Sequence, residues 1–285
     1  MTTINATSTS KAEVRATLRN LAAGLLGLLA GGMSASDASS DADFAVPADA
    51  GAFHIFLLAG QSNMAGRGEV GPQDTAPIPR VLALGKDGAW QPAVDPIHWD
   101  KSVAGVGLAR SFAVAYLGEH PGVTIGFVPA ACGGSPIATW TPGAYFDQTD
   151  SHPYDDAIRR TRVALERGTL KGILWHQGES DCHPGLSEVY AIALAELIAR
   201  FRRELGVSDL PFVVGQLGRF EGAPWGEHTL RVDEAMRTVV ASTPRSAFVS
   251  SEELTSKPDN IHFNSDSLRE FGRRYYAAFR KMEQK

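Results

Sequence analysis

The sequence predicts an α/β protein, a three-layer α/β/α sandwich around a central, mostly parallel sheet. Three observations predict it. Short runs that are apolar on both faces alternate with longer amphipathic segments, which is the pattern of βαβ units. The short runs lack polar alternation, as expected of strands covered on both sides. The glycine-rich and polar segments fall immediately after these runs, at the carboxyl ends of the strands, where such sheets bind ligands.

At the amino end, Lys11, Arg15 and Arg19 precede an apolar run at 21–32, and residues 1–38 have the layout of a secretory signal peptide. The run has 12 residues, short of the roughly 20 that cross a bilayer. No cysteine follows it to carry a lipid anchor, and the arginines are not paired, so the expectation is general export to a secreted or periplasmic location, without membrane insertion once the signal is removed. A disordered start is the alternative, because the charged stretch before the apolar run is long. Residues 39–50 read as a polar linker and 51–285 as one domain, and a chain of 285 residues with 44% hydrophobic content can bury a substantial core.

Within that domain, 53–59 (FHIFLLA), 123–128 (VTIGFV), 172–175 (GILW) and 211–216 (PFVVGQ) read as central strands. The Gly- and Pro-rich stretch 66–107 reads as an irregular loop region around a short strand at 80–84. Helical spacing of apolar residues predicts crossover helices over 108–120, 154–167, 186–205 and 229–241. A closing helix follows over 265–281, with Ser265 as its cap.

Charge narrows the partners. The chain holds 27 basic and 32 acidic side chains; without residues 1–38 it keeps 24 and 30, a net charge of −6. Such a surface does not attract polyanions, and no basic cluster is interleaved with aromatics, so nucleic acid is excluded as a partner. Two cysteines remain, Cys132 and Cys182, each just past a predicted strand. If those strands are neighbours the two can form a disulfide; otherwise they are small buried hydrophobes.

A serine needs a base, an acid behind the base and donors for the oxyanion before it attacks a carbonyl. Ser62 follows an apolar strand and a glycine, so its hydroxyl can project from the sheet edge; the alternative is a serine capping the next helix. Asp259 precedes His262 by three residues, a spacing that lets the carboxylate accept from Nδ1 and leaves Nε2 facing a hydroxyl. Without Ser62, a surface turn followed by a helix cap would be the better reading of the same segment. Backbone amides of Ser62 and of Gly133 or Gly134, with the side-chain amide of Gln177, are the candidate oxyanion donors.

Taken in order, GQSNMAGRG, CGGSPIATW, WHQGESD and DNIHF resemble the motif blocks of the SGNH hydrolase superfamily. More narrowly they resemble its sialate O-acetylesterase and acetylxylan esterase branch, the carbohydrate esterase family 6 type. The similarity spans residues 53–280. It implies a flavodoxin-like α/β/α fold, no cofactor, and release of acetate from an acetylated carbohydrate. It also implies Ser62 as nucleophile, Asp259 and His262 as acid and base, and Gly133 or Gly134 with Gln177 in the oxyanion hole. Gln61 stands where many superfamily members have Asp, and Gln177 where many have Asn; both departures match the carbohydrate branch. The α/β-hydrolase alternative fails because residues 60–64 lack the final glycine of the G-x-S-x-G turn.

Several neighbours are expected to support the site or touch substrate. Gln61 and Asn63 flank the serine, and Glu179 and Asp181 are expected to hold Gln177. Arg67 either supports a loop or contacts substrate, and Trp140 either offers a sugar-stacking face or lies in the core. His176, Glu179, Asp181 and His183 do not have the spacing of a helical zinc motif, so no metal is expected. The rival readings are a lipid or short-chain ester hydrolase on the same fold, a metal-dependent hydrolase, and a carbohydrate-binding protein without turnover. Choice among glycans is expected to come from loops such as 141–153.

Overall fold

A computed structural model describes Met1 and residues 43–284. The expected signal peptide at 1–38 therefore lies outside the described residues, as does the start of the linker at 39–50. Among the described residues one sheet is formed by β1 (Phe53–Gly60), β2 (Val81–Leu84), β3 (Trp90–Pro92), β4 (Thr124–Pro129), β5 (Thr169–His176), β6 (Phe212–Gly215) and β7 (Ser246–Val249). Its order is β3-β2-β4-β1-β5-β6-β7. All neighbours are parallel except β3, which runs antiparallel to β2.

Every residue of β1 is buried, because side chains alternate across a strand and both faces of this one are covered. Phe53, Ile55, Leu57 and Ala59 enter one core, while Phe56 and Leu58 enter the other. The first core is closed by α4 (Pro153–Leu165), α5 (Tyr190–Glu204) and α6 (Glu227–Ser242). The second is closed by α3 (Ala109–Glu119) and α7 (Ser265–Glu283), where Phe56 meets Phe112, Tyr116 and Phe279 edge to face. Two four-residue helices, α1 (Ser62–Ala65) and α2 (Pro72–Thr75), complete the elements used below. Three layers result, as the alternation of short and long apolar segments predicts. None of the described helices is long and apolar enough to cross a membrane.

Three expectations need correction. The helix cap is Asn264, whose side chain accepts from Ser267 N, so Ser265 is the first helical residue. Strands β3 and β7 went unread; both are short edge strands, and β7 is only partly buried, so neither carries a run apolar on both faces. Cys132 and Cys182 are both free. They follow β4 and β5, which have β1 between them. Two strand spacings amount to roughly 9–10 Å, too far for the roughly 4.4–6.8 Å between the Cα atoms of a disulfide.

Strand order also locates the site. From β4 the chain passes over β1 to reach β5, so connections diverge to opposite sides at the carboxyl end of β1, the position at which such sheets bind ligands. Gly60 pairs with His176, and Cys132 N donates to Gly60 O at 2.8 Å. The loops after β1, β4 and β5 therefore meet at one point.

Candidate active site

Gly60 turns the chain out of the sheet at φ 131°, a conformation side chains rarely adopt, and a Cβ there would overlap the His176 carbonyl. Gln61 N then donates to His176 O at 2.8 Å, and Ser62 opens α1. Ser62 is not a cap: the N-cap position is Gln61, and the serine hydroxyl lies 3.0 Å from His262 Nε2.

The histidine comes from the loop between β7 and α7. Asp259 Oδ1 accepts from Ile261 N and His262 N, both at 2.9 Å, which closes a tight turn. Asn260 sits at φ 55°, where Asn is among the few tolerated residues. The turn brings Asp259 Oδ2 to 2.8 Å from His262 Nδ1. An ionised carboxylate only accepts, so Nδ1 carries the proton and Nε2 presents a lone pair to Ser62. Partial burial pushes the Asp259 carboxyl up, but hydrogen bonds from the His262 backbone and ring and from Ile261 outweigh it and hold the group down to about 2. The carboxylate is thus charged at any ordinary pH.

The oxyanion candidates separate on geometry. Gly133 N donates to Asp100 Oδ2 at 2.8 Å, so this amide is already engaged. Among the described residues the backbone N–H of Gly134 and that of Ser62, the latter at a helix start, have no internal acceptor. Gln177 departs from expectation: its side chain is fully buried, and Nε2 donates to Asp181 Oδ2 at 2.5 Å, Ser135 O at 3.0 Å and Gln61 Oε1 at 3.2 Å. Two amide hydrogens facing three internal acceptors leave none for an oxyanion. Gln177 instead ties three loops together, with Tyr190 donating to its Oε1 at 3.1 Å.

The supporting residues are placed as follows. Gln61 Oε1 also accepts from Gly178 N at 3.3 Å and Ser180 N at 3.4 Å. Asn63 is buried and touches Glu179, Ile261 and Phe263. Arg67 forms a buried pair with Asp100 at 2.6 Å, and together they brace the Gly133 turn; a Cβ at Gly133 would collide with both. Trp140 is a core residue: it is buried, donates to Ser135 Oγ at 3.0 Å and meets Trp175 edge to face, so it offers no face to a sugar. Asp100 was missed by sequence reasoning, since it lies in the irregular 66–107 region with no motif around it. Arg67 gave no signal for it, since its burial beside the Gly133 turn is visible only in the structure.

Asp181 holds Gln177 as expected and also accepts from Ile137 N at 2.9 Å, whereas Glu179 turns to Asn63 instead. His176 turns its Nε2 to Gln216 O at 2.9 Å and leaves Nδ1 3.8 Å from Glu179 Oε1, and burial lowers its pKa. Among the described residues no group of three or more His, Cys, Asp or Glu side chains is arranged to hold a metal ion.

Burial raises Asp181 from 3.8 to about 6, against hydrogen bonds from Gln177 and Ile137 that lower it. A folded-state pKa above the unfolded one means that the protonated form stabilises the fold, fully below pH 3.8 and progressively less as pH rises through about 6. Asp181→Asn keeps an acceptor and loses the charge. Its stability relative to the parent is expected to rise by roughly 2 kcal/mol between about pH 4 and about pH 8. Thermal melts at both pH values check this, and an unchanged difference would contradict it.

A hydroxyl, an imidazole and a carboxylate in line at the carboxyl edge of a parallel α/β/α sheet, next to a braced glycine turn, define the class: an SGNH-type carboxylic ester hydrolase. Residues 52–281 match the family described as carbohydrate esterase, sialic acid-specific acetylesterase. The chain belongs to that family. A probable carbohydrate esterase of Arabidopsis thaliana is 32% identical over 241 residues, which are 76% of this chain and 86% of that protein. A solved structure of an Arabidopsis thaliana protein has a TM-score of 0.70 at 30% identity, covering 80% of this chain and 98% of the other. A carbohydrate acetylesterase from Xanthomonas citri shares the fold, with a TM-score of 0.60 at 24% identity over 80% of this chain and 56% of its own.

Proposed function

We propose that the protein removes O-acetyl groups from a carbohydrate through an acetyl-serine intermediate. The observation that carries this reading is the unbroken relay Ser62 Oγ, His262 Nε2, His262 Nδ1, Asp259 Oδ2, with spacings of 3.0 and 2.8 Å. His262 takes the hydroxyl proton as Ser62 attacks the acetyl carbonyl, then gives it to the departing sugar alcohol. Asp259 holds the tautomer and stabilises the imidazolium. The amides of Ser62 and Gly134 receive the oxyanion; loss of one such donor costs roughly 2.7–4 kcal/mol of barrier in a serine hydrolase. Water, activated by the same imidazole, then releases acetate and restores the serine.

Membership in the carbohydrate esterase family supports a sugar ester as substrate. Acetate release measured over acetylated sialic acid, xylan and pectin, beside aryl esters of increasing acyl length, tests it. Acetyl esters of at least one glycan are expected to be cleaved, with rates falling as the acyl chain lengthens. Cleavage of long-chain esters alone would contradict the proposal. The amino-terminal layout supports export, which an amino-terminal sequence of the mature protein would test.

A further inference from the structure

We infer that Asn63 is the positioning residue that sets His262 against Ser62, and that Glu179 fixes which way its amide points. This rests on the reading of Ser62 and His262 as nucleophile and base.

Asn63 follows the serine directly and is wholly buried. Its Oδ1 accepts from Phe263 N at 3.1 Å and its Nδ2 donates to Ile261 O at 3.2 Å. Those two residues flank His262, so one side chain anchored beside the nucleophile grips the backbone on both sides of the base. Apart from the His262–Ser62 contact itself, the other polar contacts of residues 256–264 among the described residues are local, such as Asp259 with 261 and 262, Lys257 N with His262 O, and Asn264 N with Thr255 O. They shape the loop without joining it to the serine turn. Phe263 packs on His176, Phe220 and Phe271 and anchors the loop to the core. Apolar packing of that kind does not direct a hydrogen bond, whereas the Asn63 amide does.

An Asn amide has nearly the same shape after a half turn, and the turned form would set an NH2 against Phe263 N–H and an oxygen against Ile261 O. Glu179 selects between the two. Its Oε1 accepts from Asn63 Nδ2 at 2.6 Å and would repel the amide oxygen. Glu179 keeps this position although, among the described residues, its Oε2 is buried without a partner and Oε1 lies 3.8 Å from His176 Nδ1, itself unpartnered. Unsatisfied buried polar groups cost stability, so their retention beside a catalytic loop points to a role in the reaction geometry.

The test is a double-mutant cycle on an aryl acetate. Asn63→Ala is expected to lower kcat by about 30- to 100-fold, the effect of a displacement near 1 Å, with KM within about two-fold. Serine-directed phosphonate should label Ser62 more slowly by the same factor. In the residual activity of His262→Ala, adding Asn63→Ala should cost nothing more, since the clamp acts only through the imidazole. Glu179→Ala, which leaves the clamp in place but free to turn, should cost about ten-fold in the parent and nothing beside His262→Ala. Glu179→Gln, whose oxygen can still accept, should recover most of that loss, and this pair carries the test if Asn63→Ala does not fold. Equal losses with and without His262, a loss confined to KM, or no loss would overturn the inference. If His262→Ala were itself fully active, the triad reading would fail instead, so the two failures are distinguishable.

Discussion

Ser62→Ala is expected to lower kcat for acetate release by about 10⁵- to 10⁶-fold, the scale seen when the nucleophile of a hydroxyl–imidazole–carboxylate set is removed. The residue is nearly buried, and among the described residues its hydroxyl makes one side-chain hydrogen bond, to His262. Deleting that oxygen leaves the Gly60 turn, the Gln61 bonds and α1 in place, so the melting temperature should stay within about 2 °C of the parent. Whatever rate survives is expected to come from the amides of Ser62 and Gly134 acting on bound ester with water as nucleophile. KM should change little, because the hydroxyl contributes to the transition state and not to ground-state binding. Initial rates of acetate formation, with a melt on the same sample, measure both halves of the expectation. A variant that keeps a tenth of the parent rate would remove Ser62 from the mechanism.

Asp259→Asn should lower kcat by about 10³- to 10⁴-fold. The carboxylate does two jobs: Oδ1 closes the turn by accepting from the backbone of 261 and 262, and Oδ2 accepts from His262 Nδ1. Asparagine keeps the first and inverts the second. With its oxygen held by the turn, the NH2 faces Nδ1, which must then carry the lone pair. Nε2 becomes the protonated nitrogen and donates to Ser62 where it should accept. The turn survives while the base is lost, so folding should be near normal at a heavy cost in rate. Because Asp259 is held down to about 2, the parent's acid limb should not arise from its titration, and Asp259→Asn should be slow across the whole profile. A rate loss confined to low pH would contradict this assignment.

The legibility of the fold followed burial. Runs such as 53–59 and 172–175 lie inside β1 and β5, where both faces are covered and hydrophobicity alone marks the strand. Edge strands β3 and β7 escaped for the opposite reason. The site was legible where chemistry needs rare residues at local spacing: Asp259 and His262 share one turn, and Ser62 follows the glycine that ends β1. What stayed hidden depends on partners distant in sequence. Nothing around Asp100 shows that it holds Gly133, 33 residues away. Gln177 looks like an oxyanion donor until Asp181, Ser135 and Gln61 are seen around its amide. Trp140 reads as a sugar platform until Trp175 and Ser135 enclose it. Cys132 and Cys182 were the same problem in a fourth form, since strand order decides their separation and no local pattern encodes it.

The most direct measurement is covalent: react the protein with a fluorophosphonate, digest it and find the modified peptide by mass spectrometry, for the parent and for His262→Ala. One adduct per chain on Ser62, formed in step with loss of esterase activity and slowed at least 10³-fold without the imidazole, is the expected result. Full esterase activity in protein carrying the adduct on Ser62, or inactivation by an adduct on another residue, would show that the hydroxyl held 3.0 Å from His262 does not perform the reaction.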